Sequence, residues 1–175
     1  RHFKVKVGRG ARWMPTDAGL ERDALVVRAV REAAGPEAKI LIDANMGNTL
    51  NTAIAMLEAC AESDIYWFEE PFAEDRALNQ GLKDFIIEND WDTLVADGEF
   101  APPPYFFDLV EDGLIDPNRM VQIGLRGAQN TREGWDFQRE HGIRGIYIEE
   151  FRETGVAGAI QEARRIAGEG PTYLT

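Results

Sequence analysis

Short apolar runs ending in an acidic residue alternate with amphipathic runs of helical period along the first hundred residues, and few architectures accommodate that order. Lys39-Ile40-Leu41-Ile42 leads into Asp43-Ala44-Asn45, Ile65-Tyr66-Trp67-Phe68 into Glu69-Glu70-Pro71, and Thr93-Leu94-Val95-Ala96 into Asp97-Gly98-Glu99. Upstream, Phe3, Val5 and Val7 alternate with Lys4 and Lys6, the period-two pattern of a strand. Between the strands, Leu25, Val26, Ala29, Val30 and Ala33 share a helical face that Gly35-Pro36 ends. Ile54, Leu57 and Ala61 mark a second helix, and Leu82, Phe85 and Ile86 a third. Strands joined by helices of this length pair in parallel through right-handed crossovers.

Past a Pro102-Pro103-Pro104 loop and a short helix over Tyr105 to Glu111, the pattern loosens. Met120 to Ile123 and Ile146 to Ile148 read as strands, 131–141 as a weak helix, and Val156 to Ala167 as a helix closed by Gly168. The predicted fold class is α/β: parallel βα repeats in one domain spanning 1–175. A complete eightfold barrel takes about 250 residues, so a chain of 175 residues predicts a partial TIM-barrel-like arrangement. A net charge of −12 argues against nucleic acid or an anionic membrane as the main partner. No apolar run approaches the roughly 20 residues of a membrane span, and there is no signal-peptide pattern, so the expected compartment is the cytoplasm. Cys60 sits in an apolar helical pattern and reads as a buried structural thiol. Charge runs such as Glu21-Arg22-Asp23 read as solvated helix faces. The start at Arg1 and the strand-like end at Thr175 both read as cut.

Asp43, Glu69 and Glu99 lie about one strand–helix repeat apart. Acids at the carboxyl ends of successive parallel strands converge on one rim of an α/β barrel. Three carboxylates there repel one another without a cation, and an all-oxygen donor set suits Mg²⁺. Taken singly, each acid reads rather as the N-cap of the following helix; three in phase reverse that balance. Spacing does not decide whether Glu70 and Asp97 support that site or are loop acids. Lys4 and Lys6, two apart, point to the same side of their strand. In a barrel interior, one lysine beside another has a depressed pKa and becomes a usable base; on a solvated edge strand the pair is unremarkable. Trp67, Trp91 and Trp135 read as packing residues, and Trp13 as a loop residue able to line a substrate mouth. His2, His141 and Cys60 form no constellation, and no phosphate-binding glycine loop or nucleophile elbow is present.

Lys4-Val5-Lys6, Leu41-Ile42-Asp43-Ala44-Asn45, Trp67-Phe68-Glu69-Glu70-Pro71 and Asp97-Gly98-Glu99 occur in an order and spacing that resemble the barrel domain of the enolase superfamily, of the mandelate racemase and acid-sugar dehydratase type, over residues 1 to about 115. The resemblance implies Asp43, Glu69 and Glu99 as Mg²⁺ ligands, Lys6 as the proton-abstracting base, Lys4 as its pKa-lowering neighbour and Asn45 as a residue near the substrate. It also implies removal of a proton α to the carboxylate of a small sugar acid. The later strand ends depart from the family pattern: Val121-Gln122-Ile123-Gly124 carries no acid and Ile146-Tyr147-Ile148-Glu149 no histidine.

From about Pro117 onward, Arg119-Met120-Val121-Gln122-Ile123-Gly124-Leu125-Arg126-Gly127, Glu133-Gly134-Trp135-Asp136 and Gly168-Glu169-Gly170-Pro171-Thr172-Tyr173-Leu174-Thr175 resemble an internal stretch of agmatinase-type ureohydrolases. That resemblance implies guanidinium hydrolysis with two Mn²⁺, whose ligands lie outside this stretch. The expectation is a chimera, enolase-superfamily-like over 1–116 with grafted βα units over 117–175. Its inherited proton-abstraction chemistry is impaired, and its open sheet edges invite homo-oligomerisation. A non-catalytic recombined scaffold and an amidinohydrolase remnant are the alternatives.

Overall fold

The computed structural model describes residues 1–73, 75–97, 103–126 and 131–172, with the backbone alone at 103–105. The chain divides into two compact units, Arg1–Ala101 and Pro102–Thr175. In the first unit, strands β1 (His2–Lys6), β2 (Lys39–Asp43), β3 (Ile65–Glu69) and β4 (Leu94–Ala96) alternate with helices α1 (Thr16–Ala34), α2 (Leu50–Ala59) and α3 (Arg76–Glu88). The sheet order is β1-β2-β3-β4 with every pair parallel. Strands adjacent in sequence and in space, all parallel, are the arrangement of a partial barrel wall. This is the α/β architecture read from the sequence.

Alternation along the strands separates two faces. Val5, Ile40, Ile42 and Phe68 pack with Val27 of α1, Ala53, Met56 and Leu57 of α2, and Leu82 and Ile86 of α3 into one buried core. The intervening residues lie on the opposite face, where the register pairs Lys4 with Leu41, Lys6 with Asp43, and Asp43 with Glu69. The apolar set therefore fixes which face the polar residues occupy. Cys60 is in the core, 1% exposed.

Local chemistry defines the helix ends. Thr49 caps α2 through a reciprocal box with Thr52, and the Asp75 carboxylate accepts the Leu78 N–H at the start of α3. Arg31, in the last turn of α1, closes the α1–β2 connection. Its guanidinium donates to the carbonyls of Gly35, Pro36, Ala38, Ser63 and Asp64 at 2.8–3.1 Å. Gly19 in α1 lets the β1–α1 loop lie against the helix: a Cβ there would stand 2.4 Å from the Gly10 Cα.

One charged run is not a solvated face. Asp23 of α1 is 2% exposed, and its carboxylate accepts from the Arg9 backbone N–H at 2.9 Å and from the Arg9 guanidinium. The β1–α1 loop folds back over α1 and covers this carboxylate, which its Glu21-Arg22-Asp23 context did not signal.

The second unit comprises α4 (Pro103–Glu111), β5 (Val121–Leu125), α5 (Arg132–His141), β6 (Arg144–Tyr147) and α6 (Ile148–Ala167). β5 and β6 form a two-stranded parallel sheet. Its core joins Val110 of α4 to Phe137 and Ile143, with Phe107 stacked on Phe137 at 4.0 Å. α4 packs against α5, so the unit boundary falls at Ala101–Pro102, ahead of the motif change near Asp116-Pro117. α6 starts at Ile148, within the expected strand, and bends at Gly155, whose φ of 68° interrupts the helix.

Candidate functional site

The carboxyl ends of β1, β2 and β3 bring five of the sequence-nominated residues together. Asp43 ends β2 and Glu69 ends β3; they are register partners, 1% and 4% exposed. Both carboxylates converge on a single cationic atom. The Lys4 Nζ lies 2.8 and 3.0 Å from the two Glu69 oxygens and 3.2 Å from Asp43 Oδ2. The Lys6 Nζ donates to the same Asp43 oxygen at 2.5 Å and to Asn45 Oδ1 at 2.8 Å. The Asn45 amide in turn donates to Glu70 at 3.2 Å, and the Asn45 N–H donates to Asp43 Oδ1 at 3.1 Å. Glu99 lies outside the described residues.

The backbone at this rim is shaped to turn sharply. Asn45, Met46 and Glu70 have φ of 44°, 57° and 42°, a region in which non-glycine residues are strained and which recurs at functional sites. Backbone pairing runs past the strands and holds the turns: Val7 donates to the Asp43 carbonyl, Ala44 to Glu69, Met46 to Glu70, and Glu70 to Ala96. Gly8, with φ of 81°, passes so close to this rim that a Cβ would meet the Ala44 carbonyl at 2.8 Å.

Hydrogen bonding to Glu69 holds the Lys4 ammonium above the ordinary lysine range against the opposing effect of burial, and Asp43 adds to the rise. Lys4 is therefore cationic at neutral pH and acts as a counter-ion. Buried carboxylates demand such a partner. Asp43 and Glu69 are oxygen donors of the type a hard divalent cation takes, and in this structure they close on the Lys4 ammonium. Among the described residues, no group of three or more His, Cys, Asp or Glu side chains is arranged to hold a metal.

Two neighbours escaped the sequence reading. Arg9 bonds the Lys6 carbonyl at 3.1 Å while pairing with Asp23, tying the end of β1 to α1. Arg12 reaches the Asn45 carbonyl at 3.5 Å. No spacing rule marks either, since both contacts depend on how the loop folds. Of the acids that spacing left open, Glu70 is fully buried and accepts from Asn45, while Asp97 accepts from Asn79 at 2.7 Å. Trp13 is 77% exposed on the same loop.

In the second unit, a cleft of about 470 Å³ opens at the carboxyl ends of β5 and β6. Trp135 and Tyr147 line it edge to face, 6.5 Å apart. Trp135 is 40% exposed and is thus a wall residue, where packing in the interior was expected.

Comparison with known proteins finds both resemblances. The enolase C-terminal domain-like family model matches residues 1–120, and the arginase family model matches residues 71–175. Guanidinopropionase of Pseudomonas aeruginosa is 46% identical over 105 residues, covering 57% of this chain and 33% of that protein. Galacturonate dehydratase from Geobacillus sp., solved with D-galacturonate and 5-keto-4-deoxy-D-galacturonate, superposes with a TM-score of 0.63 at 38% identity, covering 82% of this chain and 38% of that one. A mandelate racemase/muconate lactonizing protein from Geobacillus sp. Y412MC10, complexed with magnesium and tartrate, gives a TM-score of 0.63 at 38% identity, covering 82% and 37%. The chain thus spans about a third of the length of each of these proteins, from 33% to 38%. Among the described residues, no helix is long and apolar enough to cross a membrane. The chain belongs to the enolase C-terminal domain-like family over residues 1–120 and to the arginase family over residues 71–175.

Proposed function

We propose that the first unit carries the site of an Mg²⁺-dependent lyase or isomerase that removes a proton α to the carboxylate of a small sugar acid, retained with impaired turnover in a chimeric chain. The observation that carries this reading is the convergence of two buried carboxylates, Asp43 and Glu69, on one cationic position, with the Lys6 ammonium nitrogen beside them. Asp43, Glu69 and Glu99 would hold the ion. Bound there, Mg²⁺ would supply Lewis-acid polarisation of the substrate carboxylate. Lys6 is the proton acceptor, and Asn45, bonded to both Lys6 and Glu70, orients the substrate beside it. The magnesium- and acid-sugar-bound relatives support the class of ligand.

Impairment follows from the strand ends that succeed β4. β5 ends in Ile123-Gly124-Leu125 without a carboxylate, and β6 runs from Ile146-Tyr147 into Ile148-Glu149 without a histidine, so neither strand end carries the second acid or base that the resemblance implies. A buried single thiol fits the reducing cytoplasm. Among the described residues, β1 and β4 are each paired on one side only, which favours pairing of the outer edge with a second copy.

Thermal unfolding with and without millimolar Mg²⁺, beside Glu69→Gln, tests the site. A ligand that binds only the native state raises the melting temperature, so the parent gains stability and the variant does not. Proton-for-deuterium exchange at the α carbon of a sugar-acid panel, followed by NMR against Lys6→Ala, tests the chemistry. A cooperative melt indifferent to Mg²⁺ in the parent would instead establish a non-catalytic scaffold, a reading favoured by the self-neutralised Lys4–Glu69 pairing.

A further inference from the structure

Among the described residues, Lys4 is the cation that holds both carboxylates of the Asp43–Glu69 pair. Lys4 Nζ lies within 3.2 Å of an oxygen of each. Lys6 reaches Asp43 and Asn45, and Arg12 reaches only the Asn45 carbonyl. The burial is equally uneven. The side chains of Asp43 and Glu69 are 1% and 5% exposed, whereas that of Lys4 is 45% exposed on an edge strand. The carboxylates are fixed by the core and the β2–β3 register. The ammonium sits at the end of a flexible four-carbon stem that opens to water.

We propose that Lys4 is an exchangeable internal counter-ion of this site: its ammonium occupies the cation position in the metal-free protein and must leave when a divalent cation binds. This rests on the reading of Asp43 and Glu69 as metal ligands and adds a regulation of the same site. Two buried carboxylates side by side cost folding free energy unless they are neutralised, and Lys4 supplies that charge without any metal. A divalent ion and an ammonium cannot share one pair of carboxylates, because like charges a few ångströms apart in a poorly screened site repel strongly. Metal binding therefore does not start from an empty seat. It starts from an ion pair that must be broken, and the apparent affinity is lowered by that competition. The exposed stem gives the displaced ammonium a path into water, so exchange needs no rearrangement of the sheet.

The test compares the parent with Lys4→Met, Lys4→Arg and Lys6→Met in two readouts, the melting temperature of chelator-treated protein and the Mg²⁺ dissociation constant by calorimetry at neutral pH. Lys4→Met keeps the stem and removes the charge. It is expected to lower the metal-free melting temperature and to tighten Mg²⁺ binding at least tenfold, which is 1.4 kcal/mol. Lys6→Met, which leaves Lys4 paired with both carboxylates, changes the dissociation constant less. Lys4→Arg retains a cation whose planar fork can hold a carboxylate through two donors, and it is expected to bind Mg²⁺ more weakly than the parent. A Lys4→Met protein that unfolds without Mg²⁺ and refolds on its addition supports the proposal. If it folds under neither condition, Lys4→Arg decides: weaker Mg²⁺ binding than the parent supports the counter-ion, and equal binding overturns it. Equal or weaker Mg²⁺ binding by a folded Lys4→Met overturns the counter-ion role while leaving the metal site standing. Absence of any Mg²⁺ response in the parent and in all three variants overturns the metal reading and the counter-ion with it.

Discussion

Replacing Asp23 with Asn isolates the electrostatic anchor of the β1–α1 loop. The Asp23 carboxylate is 2% exposed and accepts two bonds from Arg9, one from its backbone N–H at 2.9 Å and one from its guanidinium. Asn keeps the shape but loses the charge and turns an NH₂ group toward one donor. Breaking a buried ion pair costs about 3–5 kcal/mol when the surviving charge is trapped. Here the survivor escapes part of that cost, because the Arg9 side chain is 34% exposed and also bonds the Lys6 carbonyl. The expected loss is therefore about 2–3 kcal/mol, the sum of two charge-assisted bonds discounted for rehydration of Arg9. At a urea m-value of about 2 kcal/mol/M, the midpoint falls by about 1–1.5 M. Arg9→Ala leaves Asp23 buried without its partner, and the double variant should show a coupling of at least about 1.5 kcal/mol. A loss below about 0.5 kcal/mol for Asp23→Asn, or strict additivity with Arg9→Ala, would refute the anchor.

Three further outcomes follow from the core and the helix ends. Arg31→Lys exchanges a fork that serves five carbonyls for an ammonium with at most three donors, so unfolding in urea should show a loss of about 1–2 kcal/mol; an unchanged midpoint would mean those contacts are incidental. Burial pushes the Cys60 thiol up to about 12 from 9.0, so a disulfide reagent at pH 8 should label it only after unfolding. The folded thiol holds its proton to higher pH than the unfolded one, so Cys60 erodes stability between pH 9 and about 12, by up to about 1.4 kcal/mol per pH unit. The raised Lys4 ammonium contributes stability that is complete below its unfolded pKa of 10.5 and is lost above it. Both groups thus act in the same direction at alkaline pH, and Cys60→Ala should flatten the decline specifically near pH 9–10.5; an unaltered slope there would refute the buried-thiol contribution.

What the chain alone determined is its periodicity and its punctuation. Ile40, Ile42 and Phe68 bury a single face, so strand alternation already placed Lys4, Lys6, Asp43 and Glu69 together on the other. Gly35-Pro36 and Gly142 end helices close to the predicted positions, because capping depends on neighbours in sequence. Contacts across large separations were not legible in this way. Nothing in Glu21-Arg22-Asp23 shows that a loop beginning at Gly8 will cover Asp23, and nothing in the last turn of α1 shows that Arg31 will span to Asp64. Likewise, α4 lies in the stretch read as enolase-superfamily-like, yet packs with Phe137 and Ile143 of the second unit. Local pattern carries only the relative orientation of residues a few positions apart. The pairing of Lys4 with Glu69, 65 residues away, exists only once three strands stand in register, and that tertiary fact converts two nominated ligands into a carboxylate pair that already holds a cation.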